Sequence, residues 1–298
     1  MATTYNVSVI PGKKENDFTI TWLNKKTNKK DSFEQSAPEF SGGVLEIGKT
    51  LFHFLDGDAG HLKQALDEAA KAGESLQLYL NACQETADWP FELLAHDGSF
   101  LLPYKVHLVR SVSDWGKKKK QAAKNRPLKL LFMACSALDV DPELDFEKEE
   151  EAIFKVTEKL AVDMEVEDSG SLEGLQEQLE QTHYDVVHLS GHADINEEGV
   201  PFFIMEDETG YRRDVFPEEL WKNALIENPP RLLFLSGCRT CETPRLEEKE
   251  ESEENRAAVS FARLLVENYH VPAVLGWGRS VSDVQATLAE QMIYHELR

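Results

Sequence analysis

From Leu128 onward the sequence alternates between short apolar runs and longer amphipathic ones, and this alternation restricts the fold more than any other feature. LKLLFMACS, VDMEVED, YDVVHLS, RLLFLS and VPAVLGW read as strands. FEKEEEAIFKVTEKLA, SLEGLQEQLEQT, PEELWKNALIEN, NRAAVSFARLLVENY and SDVQATLAEQMIYHEL read as helices. Apolar strands with little polar alternation are buried on both faces, and regular alternation with helices predicts a parallel sheet covered on both sides. Ser171 suits a helix cap, and Pro217 suits a first helical turn. PFFIMEDETGYRRDV departs from the alternation and predicts a β-hairpin turning at Glu208, Thr209 and Gly210.

The segment before Leu128 is organised differently. YNVSVI and DFTITWL have strand character, and KKTNKK predicts a turn into DSFEQ. VLEIGKTLFHFL and HLKQALDEAAKA have helical spacing, LQLYLNA reads as a buried strand, and another strand is expected near 105–110. The expected division is an N-terminal β-hairpin extension at 1–43, a small α/β subdomain at 44–115, a basic linker at 116–127, and a larger α/β subdomain at 128–298. WGKKKKQAAKNRP, polar, basic and closed by proline, marks the linker.

Two strands of the larger subdomain end alike. YDVVHLSGHA ends in Ser190-Gly191 followed by His192, and RLLFLSGCRT ends in Ser236-Gly237 followed by Cys238. Parallel α/β sheets place their sites beyond the carboxyl ends of the strands. If the two strands are neighbours, an imidazole and a thiol face each other there. An imidazole can generate or stabilise a thiolate, the nucleophilic form of cysteine. The backbone N–H groups of Cys238 and Ala193 are candidate donors to an oxyanion.

This pair, histidine first and roughly fifty residues before the cysteine, resembles the caspase-type cysteine peptidases. More closely, the chain resembles the CHAT domains, a caspase-like family related to separases. ADWPFELLAHDGSFLLPYKVHLVRS is similar to that family's "PWELL…FL…R" segment. HLSGHA, the MEDETG hairpin, PEEL, LFLSGCRT and VPAVLGWGRSVSD follow in the family's order, and the resemblance runs from about Val44 to the C-terminus. It implies a caspase-like three-layer α/β/α sandwich, with the smaller α/β subdomain in front. It also implies a Cys238 nucleophile, a His192 base, and an oxyanion hole at Ala193 and Cys238. The family usually has glycine after the histidine and often alanine before the cysteine; here Ala193 and Gly237 stand in those places. The family commonly runs on past the position of Arg298, so a truncated chain is expected.

The resemblance implies cleavage of a protein substrate without metal or cofactor. It also implies control by a regulatory protein or domain, in a bacterial defence or signalling setting. Asp194, Asp207 and Arg239 are candidate substrate contacts, and acidic residues near the hairpin favour a basic residue before the cut. The segment with six glutamates between Glu247 and Glu254 reads as a solvated loop. Its Arg245 and Lys249 are candidate processing positions.

Two other classes stay open. His188, His192, Cys238 and Cys241 form H-x₃-H and C-x₂-C pairs that together suit a zinc site. A peptidase fold that only binds is the other; a redox C-x₂-C is disfavoured because no helix begins at Cys238. His188, Cys83 and Cys135 read as core residues. A formal net charge of −22 argues against nucleic-acid or anionic-membrane binding. No apolar run reaches the length of a membrane span. Four cysteines in 298 residues do not make a disulfide scaffold, so a cytoplasmic protein with reduced thiols is expected.

Overall fold

The computed structural model describes residues 2–87, 89–102, 105–111, 125–142, 144–237, 260–277 and 282–295. The chain divides into two compact units, Met1–Lys120 and Gln121–Arg298.

The first unit holds β1 (Thr3–Pro11), β2 (Asp17–Asn24), β3 (Lys30–Ser36), α1 (Val44–Asp56), α2 (His61–Ala72), β4 (Leu76–Ala82), the short pair β5 (Ala95–His96) and β6 (Ser99–Phe100), and β7 (Val106–Arg110). One sheet runs in the order β3-β2-β1-β4-β7, so β1 carries the N-terminal hairpin into the same sheet as β4. β2 alternates buried and half-buried positions along its length, the pattern of a strand with one face on a core. Its Phe18, Ile20 and Trp22 pack with Leu51, Phe52, Phe54 and Leu55 of α1 and with Leu62, Ala65 and Ala69 of α2. Trp22 satisfies its ring N–H on the Leu55 carbonyl at 3.0 Å, as a buried indole must.

The second unit follows the predicted alternation. Its elements are β8 (Leu128–Ala134), α3 (Phe146–Thr157), β9 (Val162–Glu167), α4 (Leu172–Gln181), β10 (Val186–Ser190), β11 (Ala193–Ile195), β12 (Pro201–Glu206), β13 (Arg212–Val215), α5 (Pro217–Leu220), β14 (Leu232–Ser236), α6 (Phe261–Glu267), β15 (Val274–Gly276) and α7 (Asp283–His295). The main sheet has the order β15-β14-β10-β8-β9, with every neighbour parallel. Its two faces are covered by different helices because side chains alternate along each strand. Leu131, Met133, Val187, Leu189, Leu233 and Leu235 face α4 and α6. Leu130, Phe132, Val186 and Phe234 face Ile153 of α3 and Tyr294 of α7. The chain is therefore an α/β fold with helices on both sides of a parallel sheet.

Local signals account for the helix ends. Ser171 accepts from the Gly174 N–H at 3.0 Å, Asp145 from Lys148 at 3.2 Å, and Ser260 from Arg263 at 3.2 Å. The helix expected over PEELWKNALIEN is α-helical only over Pro217–Leu220. It loosens into a π-turn over Trp221–Leu225, which sequence periodicity does not reveal. β11, β12 and β13 form a separate antiparallel sheet, whose hairpin turns where expected. No helix among the described residues is long and apolar enough to cross a membrane.

Candidate active site at two strand ends

β10 and β14 are adjacent and parallel, and their last register pair is Ser190 opposite Ser236. His192 and Cys238 each follow that pair by two residues. The Gly191 N–H continues the ladder to the Ser236 carbonyl at 3.1 Å. On its other side β10 pairs with β8, and the Cys135 N–H reaches the Ser190 carbonyl at 2.8 Å.

The glycine before each candidate residue is a packing requirement. A Cβ on Gly191 would lie 3.2 Å from the Phe203 ring and 3.1 Å from the Cys135 Cβ; one on Gly237 would lie 2.8 Å from the Phe203 ring. Fully buried Phe203 of β12 thus lies against both turns, and any side chain there would displace it. A Cβ on Gly237 would stand 3.1 Å from the Ala193 Cβ. The Ala193 methyl therefore narrows further the space beside Gly237.

His192 is held from two directions. Its carbonyl accepts the Ile204 N–H at 2.8 Å, which starts the β11–β12 ladder. Its Nε2 lies 2.8 Å from the Pro142 carbonyl oxygen. A carbonyl can only accept, so Nε2 carries a proton, and in the neutral ring Nδ1 is the nitrogen with the lone pair. The ring is therefore set in the tautomer that can take a proton through Nδ1. Beside it lie Cys135, Ser136, Ala137, Val140, Leu144 and Phe146. The bond from Ile204 to His192 makes Ala193–Phe203 the next, non-bonded pair of an antiparallel ladder, so the Ala193 N–H is turned away from β12.

The other predicted residues fall as follows. Asp194 is exposed and accepts from the N–H of Ile195 at 2.8 Å. Asp207 uses Oδ1 to close its own hairpin. It accepts from the Thr209 hydroxyl at 2.7 Å, the Thr209 N–H at 2.8 Å and the Tyr211 N–H at 3.0 Å. These bonds, the Thr209 hydroxyl foremost, hold its carboxyl below the usual range. Cys238, Arg239, Cys241, Arg245 and Lys249 lie outside the described residues.

Of the zinc set drawn from the sequence, His188 and His192 are among the described residues, and Cys238 and Cys241 are not. His192 turns its Nε2 to Pro142. His188 is fully buried, with Nδ1 3.0 Å from the Tyr294 hydroxyl and Nε2 directed toward Glu149 and Glu290. The two histidines serve different neighbourhoods. Cys135, buried beside the site, has its thiol pushed well up by burial and by the nearby Glu206 and Glu167, so it stays protonated.

Sequence reasoning missed the Pro142 carbonyl, the Phe203 contact, and the glutamates beneath the strand ends. A backbone oxygen has no signature in sequence. Glu149 stands in a run of three glutamates that reads as a solvated helix face, and Glu290 stands in an ordinary amphipathic helix.

Residues 46–298 match the family model of the CHAT domain, a caspase-like peptidase family. The match covers most of both units. No curated protein matches the chain significantly.

Proposed function

Because the chain belongs to the CHAT domain family, we propose that it is a cysteine endopeptidase with Cys238 as nucleophile and His192 as base. The observation that carries this reading is the register of Ser190 against Ser236, since a histidine and a cysteine follow two residues beyond on neighbouring strands.

In this reading Nδ1 of His192 takes the thiol proton of Cys238 while the Pro142 carbonyl steadies the imidazolium through Nε2. The thiolate attacks the scissile carbonyl, and the oxyanion is met by the N–H groups of Ala193 and Cys238. The proton on Nδ1 passes to the leaving amine as the peptide C–N bond breaks, leaving a thioester on Cys238. His192 then deprotonates a water that attacks the thioester, which releases the acid and returns the thiol. Each step uses only the chain's own groups and water.

The substrate in this reading is another protein, with a basic residue favoured before the cut. A regulatory partner governs activity, and the segment with Arg245 and Lys249 is its point of processing.

The test incubates a peptide library with wild type, Cys238→Ala and His192→Ala and reads the products by mass spectrometry. Cuts made by wild type and absent from both variants are expected. Cuts that survive Cys238→Ala would overturn the reading, and a fold that binds peptides without cutting them would replace it.

A further inference from the structure

Directly beneath the two strand ends lies a group of polar side chains that the proposed reaction does not use. In register across the sheet, Phe132, His188 and Phe234 stand side by side on the face covered by α3 and α7. The His188 ring stacks on Phe234 at 4.3 Å and meets the edge of Phe132 at 5.3 Å. It is 0% exposed. Glu149 reaches in from α3 and Glu290 from α7, at 4% and 0% exposure.

Nδ1 of His188 is satisfied by Tyr294, but Nε2 makes no hydrogen bond. It lies 3.6 Å from Glu149 Oε1 and 3.7 Å from Glu290 Oε1. Those separations exceed hydrogen-bond length. Nε2 is therefore a buried ring nitrogen facing two carboxylates with no hydrogen bond to either. One ligand-type atom from each residue lies within 4.8 Å of the other two.

We propose that Glu149, His188 and Glu290 form a buried site for one first-row divalent cation of the zinc class, ligated by His188 Nε2 and one oxygen of each carboxylate. Such ions bind nitrogen and oxygen at roughly 2.0–2.2 Å, so two ligand atoms spread by about 110–120° lie roughly 3.4–3.6 Å apart. The 3.6 and 3.7 Å separations are close to that span. One imidazole and two carboxylates suit zinc, manganese or iron; the imidazole disfavours calcium and magnesium.

The surrounding groups have the form of an orienting outer shell. Ser190 donates to Glu149 Oε2 at 2.6 Å. Ser236 accepts the Trp277 indole N–H at 3.2 Å, which commits its own proton to Glu290 Oε1. With the ion on Nε2, Nδ1 carries the proton and donates to the Tyr294 oxygen. These two serines end β10 and β14, so the ion braces the strand ends from below. The proposal does not depend on peptidase activity.

The test is the metal content of the full chain, purified without chelator from zinc-supplemented medium. One zinc per chain is expected for wild type, and loss of it in Glu149→Gln/Glu290→Gln. Because that variant could misfold, a second measurement uses wild type alone. Stripping the metal with dipicolinate and restoring zinc in about hundredfold excess over its Kd should raise Tm by about 5–10 °C, and cobalt in its place should give visible d–d absorption. Sub-stoichiometric metal, with Tm unmoved by zinc, manganese or iron, would overturn the proposal and leave protons in the ion's place. Zinc retained by a folded double variant would overturn it too, by assigning the metal elsewhere.

Discussion

Ser190 stands opposite Ser236 in the register of two parallel strands, and each hydroxyl is held by a glutamate from a different helix on the same face. The residues just past these serines are the ones read as base and nucleophile. The position of the strand ends is thus tied to α3 through Glu149 and to α7 through Glu290.

Removing either serine hydroxyl withdraws a donor from a buried carboxylate. Ser190→Ala and Ser236→Ala should each destabilise the chain by about 1–3 kcal/mol, the usual cost of leaving a buried polar group less satisfied. Urea unfolding measures this, and a loss under about 0.5 kcal/mol for both would show that the tie carries little.

Gly237→Ala should destabilise by about 1–3 kcal/mol, because its Cβ would meet the Phe203 ring at 2.8 Å. Ala193→Gly alone should cost less. Combined, the two should be less damaging than their sum by about 0.5–2 kcal/mol, since the double variant removes the 3.1 Å approach of the two Cβ atoms. Strict additivity in a double-mutant cycle would rule out coupling between these positions.

Cys135 and Cys238 should differ sharply toward iodoacetamide. At pH 8, in the native protein, Cys135 should stay unlabelled, being 2% exposed and raised well above the ordinary thiol range by burial. Cys238 should label, and His192→Ala should slow its labelling about tenfold or more through loss of the base. Peptide mapping after timed alkylation separates the two; prior labelling of Cys135 would contradict the assignment.

Asp207 should act on the hairpin before it acts on substrate. Its carboxyl is held below the usual range by Thr209 and Tyr211, so its contribution is present above the unfolded-state value and is lost as pH falls through the lowered folded value. Asp207→Ala should abolish that acid-side dependence. If the variant keeps wild-type preference among Arg- and Lys-containing peptides, Asp207 is excluded as the specificity carboxylate.

Much of this architecture was legible in the residues themselves. Unbroken apolar runs such as VVHLS and LLFLS can be buried on both sides only inside a parallel sheet, and the helices between them follow from their periodicity. Ser171 and Ser260 cap helices because a short hydroxyl at that position meets free N–H groups wherever it occurs. The matching Ser-Gly ends before His192 and Cys238 were legible because each is a local pattern. Tertiary structure alone decided which strands became neighbours, since register depends on crossovers that no local pattern encodes. It also decided the tautomer of His192, which rests on a carbonyl fifty residues away. The closeness of Ala193 to Gly237 is readable only where two chain segments touch. Glu149 and Glu290 look in sequence like any charged helix positions. They are buried because α3 and α7 close over the same face of the sheet, and it is that closure which gathers two carboxylates around one histidine.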